Sequence, residues 1–487
     1  LLTGADRTTT PRQETLLSTI EWSHDLLDDD ERTLFRRLGV FADDFSVEAA
    51  EGACADADID ELDVLDLLAA LVDKSMVTTE QGTDGANRYN LLESIREFAR
   101  GRLTASGEIE AQRERHAEHF ARSAKELQSK QRAGDLAEAL RILDADEAEF
   151  RSALRFTTET HRHELAGRII GGLGYLWYAA GLFREGTDWC RTLLDDDPLL
   201  SEEIRADVLH SYASALSGAG DPETAIDVLT EQVAIRRRLG DPMRLAGALT
   251  NLGNNLVDVG HIDAARTVLD EAAELFVELG ESASLALVEC TLGYGEMIDG
   301  RYGDAEVTFR DALRHARSAD HAMSIAVTMS NLGQALTYAE RGVDARPHLV
   351  ESHERFVELS VQPGVITNDT MLGLVARSSG DPVTAARHWL SALDGPGQSW
   401  FEHDDYSILH FAASIIDDLP TAATLVGAAS AAYEKSQFRQ VAYVLDDLAA
   451  TRSRLEAQLE PDEFGPRFRA GERRTKAEAV SYTHLRA

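Results

Sequence analysis

A strict forty-residue repeat constrains this chain more than any other feature of its sequence. Counting in steps of forty from Ala213 reaches four glycines, Gly253, Gly293, Gly333 and Gly373. A second series, shifted by twelve positions, falls on Ala225, Ala265, Ala305, Ala345 and Ala385. A fixed period of this length is the signature of a solenoid, in which each unit contacts only its neighbours. Such arrays hold partners on extended surfaces, so a catalytic function would need evidence of its own.

Each repeat combines small and large apolar residues at the same offsets. In the clearest copy, Leu292 and Gly293 are followed by Gly300, Ala305 and Phe309. This spacing resembles the tetratricopeptide repeat, a helix-turn-helix of about 34 residues. The extra length predicts longer helices in about six units, the first of them degenerate. HEAT and armadillo arrays also have periods near 40 residues, but the spacing of Gly, Ala and aromatic residues favours the tetratricopeptide interpretation.

The charge of the chain argues against nucleic acid as a direct partner. Its 85 acidic and 48 basic residues give a formal net charge of −37, which repels a phosphate backbone unless a local basic patch intervenes. This acidity indicates a solvated surface or, alternatively, a salt-tolerant host. No membrane segment or signal peptide is predicted, because no long apolar run occurs. The separated Cys54, Cys190 and Cys290 are typical of buried thiols in a reducing cytoplasm.

The first hundred residues predict a small helical module that ends in a β-hairpin. We expect helices over residues 11–22, 32–38, 46–53 and 60–72. The last of these would bury an apolar stripe formed by Leu62, Leu65, Leu68, Ala69 and Val72. Strands over 75–80 and 88–91 would flank a turn at Gly82, Thr83, Asp84 and Gly85. Helices followed by such a hairpin describe a winged-helix module.

Several motifs in and beyond this module carry a family resemblance. They are Pro11-Arg12-Gln13, Trp22-Ser23, LFRRL at 34–38, LLAALVDKS at 67–75, RYNLLESIREFA at 88–99 and LVGAA at 425–429. Together they resemble the winged-helix and repeat half of bacterial regulators of the LuxR and AfsR type, which belong to the STAND class of signal-transduction ATPases. The resemblance implies that an NTPase domain using ATP or ADP precedes the winged helix, and that a DNA-binding domain lies at one terminus of the full protein.

The chain itself contains no G-x-x-x-x-G-K-S/T phosphate-binding loop, so we expect no cofactor within it. In related STAND proteins a Met-His-Asp motif of the winged helix brings its His close to bound ADP. Arg88, Tyr89 and Asn90 occupy the matching place, with Tyr in place of His. Arg88 and Tyr89 are therefore candidates for nucleotide sensing, while the simpler alternative is a hairpin tyrosine that packs on its own domain.

These observations predict an all-α protein with one small β-hairpin. A winged-helix module of STAND type would span 1–105, linking helices 106–165, about six repeats of a right-handed tetratricopeptide-like α-solenoid 166–405, and a C-terminal helical cap 406–480. Because the chain starts at Leu1 rather than Met, we expect a fragment. Residues 481–487, SYTHLRA, break the helical pattern and resemble a tail derived from a sequencing adaptor.

No combination of residues predicts an enzyme or a metal site. No G-x-S-x-G nucleophile setting occurs, and the histidines lack the i, i+4 pairing with a carboxylate that a helical zinc site needs. We expect surface or packing roles for His161, His163, His315, His321, His348 and His353. His116 and His119, beside Arg113 and Arg115, would form the solvated face of a linking helix or, alternatively, a patch for an acidic partner.

Polar residues on the first helix of each repeat form the predicted binding site. If Leu252, Leu292 and Leu332 face the core, their neighbours project towards the inner curve. These neighbours are Asn251, Asn254, Thr291, Tyr294, Asn331 and Gln334. Amides can donate and accept hydrogen bonds to a peptide backbone, and resemble the asparagines with which tetratricopeptide proteins hold extended partners. They could equally bond to the neighbouring repeat.

Two functions remain. In the first, the chain is the cytoplasmic sensor arm of an ATP-switched transcriptional regulator: the repeats bind a protein or a small inducer, and the winged helix relays occupancy to the missing NTPase domain. In the second, it is a free-standing tetratricopeptide adaptor for protein partners.

Overall fold

The computed structural model describes residues 11–82, 86–196, 200–394 and 402–484. It divides into two compact units, Leu1–Ala219 and Gly220–Ala487. The described ranges contain helices and one two-stranded sheet. None of the described helices is both long and apolar enough to cross a bilayer. This architecture, with an N-terminal winged helix and tetratricopeptide-like helical repeats, confirms the predicted fold class.

The first unit opens with the winged-helix module. Its elements are α1 (Pro11–Asp25), α2 (Asp29–Leu38), α3 (Val47–Cys54), α4 (Glu61–Asp73), β1 (Thr78–Gln81), β2 (Asn87–Asn90) and α5 (Glu93–Ala105). Side-chain caps define three helix starts: Asp28, Ser46 and Asp60 each accept a hydrogen bond from a backbone N–H in the first turn that follows. The strands pair antiparallel with Thr78 opposite Asn90. Residues 83–85 of the predicted turn lie outside the described residues.

Several details of this module differ from the sequence prediction: α1 extends to Asp25 rather than residue 22, and β1 begins at Thr78 rather than at residue 75. Helix α2 begins at Asp29 rather than at residue 32, because Asp28 and Glu31 form a reciprocal capping box. In α4 the predicted stripe is wrong in part: Leu62 is 86% and Leu65 48% exposed, whereas Leu68 is buried as predicted, together with Val64 and Leu71. Both stripes have helical spacing, and the contacts of α4 with α2 and α3 select the second.

Over residues 109–196 and 200–219, the rest of the first unit contains six helices. They are α6 (Ile109–Arg132), α7 (Leu136–Ala145), α8 (Glu147–Glu159), α9 (His163–Ala179), α10 (Phe183–Asp196) and α11 (Glu202–Gly218). One apolar core runs from Ile20 in α1 to Val208 in α11. The winged-helix module and the linking helices therefore share buried side chains within this unit.

The second unit contains paired helices followed by a helical cap. The repeat helices are α12 (Pro222–Leu239), α13 (Pro242–Asp258), α14 (Ile262–Leu279), α15 (Ser282–Ile298), α16 (Tyr302–Ser318), α17 (Ala322–Tyr338), α18 (Gly342–Glu358), α19 (Gln362–Ser378) and α20 (Pro382–Asp394). The cap comprises α21 (Glu402–Ala413), α22 (Leu419–Lys435), α23 (Ala442–Gln458), α24 (Pro461–Glu472) and α25 (Lys476–His484). Residues 481–484 continue α25, so the expected break of the helical pattern at Ser481 is wrong, and residues 485–487 lie outside the described residues.

Helix crossings explain the glycine series. A Cβ added at Gly293 would lie 2.7 Å from the ring of Phe309, and at Gly253, Gly333 and Gly373 it would overlap Leu269, Leu349 and Trp389. Each glycine thus admits the large side chain sixteen positions later, on the partner helix. The alanines of the second series are equally constrained, since Ala265, Ala305, Ala345 and Ala385 are at most 1% exposed.

Left-handed turns explain the length of the repeat. Positive φ angles recur every twenty residues, at Gly240, Gly260, Gly280, Gly300, Asp320, Glu340, Ser360 and Gly380. Each forty-residue unit is therefore two helix-and-turn halves, and α13 to α19 have 17 or 18 residues each. The helices of the repeat are long, as its period predicts.

Candidate functional site

The first helices of the repeats present a row of half-buried polar side chains. Leu332 is 1% exposed and Leu252 is 6% exposed, so they face the core as expected, while Leu292 is only partly buried. The predicted site residues beside them are all intermediate in exposure. We call this set the polar ladder: Asn251, Asn254, Thr291, Tyr294, Asn331 and Gln334.

The structure connects several members of the polar ladder. Thr291 Oγ1 on α15 donates a hydrogen bond of 2.6 Å to Asn254 Oδ1 on α13, across two repeats. Within α17, Gln334 Nε2 donates to Asn331 Oδ1 at 3.3 Å. Asn254 Nδ2 and Gln334 Oε1 have no hydrogen-bond partner among the described residues. Inter-repeat bonding therefore exists, and a donor and an acceptor remain for a partner, so binding at the ladder stays a prediction.

Beneath the ladder lies a buried set of cross-repeat bonds that the sequence interpretation missed. Cys290 Sγ lies 3.1 Å from Thr328 Oγ1, and Ser330 Oγ donates to Asn368 Oδ1 at 2.9 Å. Both pairs join residues 38 positions apart, because 290 and 330 are equivalent in the repeat, as are 328 and 368. Burial raises the pKa of the Cys290 thiol to about 12, which keeps it a neutral packing group. The signal was a polar residue recurring at a core position.

Asp369 lies at the centre of a group of polar side chains on the last repeats, which we call the carboxylate hub. Asp369 on α19 is 4% exposed; its Oδ1 accepts from His388 Nδ1 at 2.9 Å and its Oδ2 from Ser391 Oγ at 2.8 Å. His353 Nε2 on α18 lies 3.8 Å from Oδ1. Burial alone would raise the pKa of Asp369, but the nearby imidazole of His353 and hydrogen bonds from His388 and Ser391 outweigh it and hold the pKa below its usual range. The same contact raises the pKa of His353.

This hub predicts a pH dependence of stability. Because the pKa of Asp369 is depressed, its contribution is present above about pH 4 and is lost as the pH falls further. Because the pKa of His353 is raised, its contribution is full below about pH 6.5 and is lost as the pH rises through the folded value. We expect Asp369→Asn to lower the free energy of unfolding by about 2 kcal/mol at pH 5.5 and to flatten this profile. Urea unfolding between about pH 2.5 and about pH 9 covers both parts of the profile and measures both effects.

The control for this prediction is Asp227→Asn, which changes an exposed carboxylate on α12. It should alter the free energy of unfolding by less than about 0.5 kcal/mol and leave the pH profile unchanged. An Asp369→Asn profile that keeps the slope of the wild type would contradict the assignment of the slope to this hub.

The two candidate nucleotide-sensing residues lie at the winged-helix hairpin. Tyr89 is 8% exposed and stacks on Phe45, with 6.2 Å between ring centroids. The guanidinium of Arg88 bonds to Asp44 Oδ1 at 2.6 Å and to Asp146 Oδ1 at 2.9 Å. Burial alone would lower the pKa of Arg88, but the two carboxylates raise it. Tyr89 thus packs within its own unit, and a contact with nucleotide remains a prediction.

Two histidine groups also differ in their surroundings. His163 Nε2 and His161 Nδ1 lie 2.8 and 3.2 Å from the same oxygen, Asp196 Oδ2. Two imidazoles and a carboxylate could hold a divalent transition-metal ion together with water; the His-x-His spacing was the signal in the sequence.

His116 is 2% exposed, so the predicted solvated face is wrong at this position, because α6 packs there against α8. Burial lowers the pKa of His119 to about 4.

Comparison with known proteins supports a regulator-like chain. Residues 27–104 match a family model described as a winged helix-turn-helix domain. Proteins named as HTH-type transcriptional regulators in Mycobacterium tuberculosis H37Rv and Mycobacterium bovis are 30% identical over 308 residues, which is 62% of this chain and 34% of theirs. The chain therefore spans about a third of the length of these curated relatives, which carry the similarity to transcriptional regulators.

Solved structures of repeat proteins are more distant. A STAND protein with a tetratricopeptide repeat sensor from Pyrococcus horikoshii is 13% identical with a TM-score of 0.46, covering 96% of this chain and 69% of that one. A Rap protein complexed with competence and sporulation factor is 13% identical with a TM-score of 0.49, covering 76% and 100%. These likenesses are too loose to support an argument about function.

Proposed function

We propose that this chain is the cytoplasmic sensor arm of a transcriptional regulator. Its repeats bind an extended peptide or a small inducer along the polar ladder, and its winged helix relays occupancy to an NTPase domain that carries ATP or ADP. One observation carries the proposal. A chain that is similar to HTH-type regulators contains both a winged helix and a repeat array with a row of half-buried amides.

The ladder suits a peptide main chain. Asn254 retains an amide nitrogen as a donor and Gln334 retains an amide oxygen as an acceptor. An extended backbone offers both groups in alternation, and partly buried hydrogen bonds of this kind contribute roughly 0.5 to 1.5 kcal/mol each. A ligand that binds one arrangement of the repeats more tightly than another shifts the population between them, and this differential affinity is the signal that the arm transmits.

We expect Asn254→Ala combined with Gln334→Ala to weaken peptide binding, because these two side chains hold the unbonded donor and acceptor. Peptides selected from a random displayed library against the full chain provide the ligand, and isothermal titration measures its Kd. Loss of about two hydrogen bonds predicts a Kd that rises about tenfold or more, while the melting temperature changes by only a few degrees. Gln131→Ala with Gln458→Ala, which removes two amides outside the ladder, should leave the Kd unchanged. If the ladder variant melts early yet binds normally per folded molecule, the amides are structural.

A second experiment separates the sensor arm from a free-standing adaptor. Sequencing the DNA upstream of the codon for Leu1 in the same locus should reveal, in one reading frame, a phosphate-binding loop followed by an acidic strand end. A start codon and promoter directly before Leu1 would rule out a fused NTPase domain and leave the adaptor.

A further inference from the structure

A cleft in the first unit gathers arginines from three helices. It has a volume of about 260 Å³ and is lined by Arg96 and Arg100 of α5, Arg113 of α6 and Arg155 of α8, with Gly39 at its floor. The lining thus combines the winged-helix module with the linking helices of the same unit. It is independent of the polar ladder and of the function proposed for that ladder.

The charge of this cleft is opposite to that of the chain. Its acidic lining residues are Glu93 and Glu159, and Glu93 is already engaged, since Arg96 Nη1 donates to Glu93 Oε2 at 3.1 Å. Arg113 and Arg155 are exposed, and neither has an ion pair or hydrogen bond within the described residues. A net charge of −37 would be expected to supply carboxylate partners for exposed arginines. The two guanidinium groups without partners at this cleft therefore indicate a place for an anion that is not part of the chain.

The floor of the cleft is built rather than open. Arg96 is 9% exposed, its Nη2 donates to Asn90 Oδ1 at 2.7 Å, and its Nε is buried without a hydrogen-bond partner. Arg100 Nε donates to the carbonyl of Gly39 at 3.2 Å. A Cβ added at Gly39 would lie 2.6 Å from the backbone nitrogen of Arg100, so glycine is required for this approach. The guanidinium of Arg96 is buried and held in place, and the exposed Arg100 is anchored to the carbonyl of Gly39, whereas the exposed Arg113 and Arg155 can close over a ligand.

We propose that this cleft binds a small phosphate-bearing anion. Planar guanidinium groups match phosphate oxygens in pairs, and fixed cations on three helices can surround a compact, multiply charged group. The volume corresponds to about eight or nine water molecules at roughly 30 Å³ each, which accommodates a phosphate or a pyrophosphate. Acidic residues farther than about 8 Å are largely screened at physiological salt, so they do not prevent binding. A bound anion would tie α5 of the winged-helix module to α6 and α8.

The test is calorimetric titration of the full chain with inorganic phosphate and with pyrophosphate. Binding should be one to one, with pyrophosphate the tighter ligand and with affinity falling as salt rises. Arg113→Gln with Arg155→Gln should weaken binding at least tenfold. The lysine versions of both substitutions keep the charge but lose the planar fork, and should fall between the wild type and the glutamine variant. Arg132→Gln with Arg168→Gln removes the same charge from exposed positions of the same unit that have no ion pair among the described residues, and this variant should bind as the wild type does.

Four results would overturn the proposal. Absence of binding by either phosphate ligand, with the wild type folded by circular dichroism, removes the site. Equal weakening by the control pair assigns the effect to overall charge. Binding of succinate as tight as that of pyrophosphate assigns the cleft to carboxylates instead. Because the substituted arginines are exposed, circular dichroism and melting of the free variants should match the wild type; early melting together with full binding per folded molecule also contradicts the site.

Discussion

Replacing Glu149 with alanine is expected to lower the free energy of unfolding of the first unit by about 3 to 5 kcal/mol. The side chain is 1% exposed, and its Oε2 lies 2.8 Å from Nε2 of His116, which is 2% exposed. Its Oε1 accepts from the backbone N–H groups of Ala42 and Asp43, both at 2.8 Å. Alanine leaves the buried imidazole of His116 and the two part-buried backbone N–H groups without their acceptor, and an unsatisfied buried group costs about 1 to 3 kcal/mol. The expected decrease in the free energy of unfolding is therefore larger than the contribution of the carboxylate by itself.

The isosteric variant separates charge from hydrogen bonding. Glu149→Gln retains an oxygen for Ala42 and Asp43, so it should lose only about 1 to 2 kcal/mol. Glu159→Ala, at the exposed end of the same helix, should change the free energy of unfolding by less than about 0.5 kcal/mol. Urea unfolding measures the three values, and hydrogen exchange of the backbone over residues 39–46 should accelerate most in the alanine variant. A loss below 1 kcal/mol for Glu149→Ala would show that α8 does not hold this loop.

The contacts of Glu149 could not be predicted from the sequence. His116 and Glu149 are 33 positions apart on different helices, and no local pattern tells which face of α6 meets α8. The same limitation explains why Leu62 was assigned to the buried stripe of α4 instead of Val64, since both residues belong to stripes of helical spacing that share Leu68. Amphipathic period predicts that a helix exists, while the choice of its buried face depends on neighbours that come from elsewhere in the chain.

The repeats were more predictable because their neighbours recur at a fixed distance. Gly293 and Phe309 are sixteen positions apart in the same unit, and Gly373 and Trp389 repeat the relation. In the candidate site, the amides beside Leu252 and Leu332 could be assigned to one face for the same reason. Asn368 was not predictable as a partner of Ser330, because its amide is fully buried and exposed amides are the common case. The arginine cleft was equally hidden, since its four cations come from three helices.

In the cap of the second unit, α22 and α24 cross so closely that we expect one added methyl group to lower the stability of this crossing. Gly427 of α22 and Gly471 of α24 face each other's backbones: a Cβ at Gly427 would overlap the carbonyl oxygen of Phe468, and one at Gly471 would overlap that of Thr424. Side chains can rotate away from an added atom, but a backbone carbonyl moves only with its helix. The LVGAA motif at 425–429 therefore has a packing explanation in this crossing.

Two opposing terms decide the effect of Gly427→Ala. Alanine favours the helix by about 1 kcal/mol over glycine, whereas overpacking a dense core costs about 1 to 3 kcal/mol and more when backbones must separate. Because the contact is with backbone, the second term should lie near the upper end of its range, about 3 kcal/mol, and prevail with a net loss of about 2 kcal/mol. Gly247→Ala, inside α13 with no atom within 4 Å of the added Cβ, isolates the first term and should stabilise by about 0.5 to 1 kcal/mol. Thermal and urea unfolding of both variants therefore test a difference in sign. If Gly427→Ala also stabilises, α22 and α24 do not cross at this glycine.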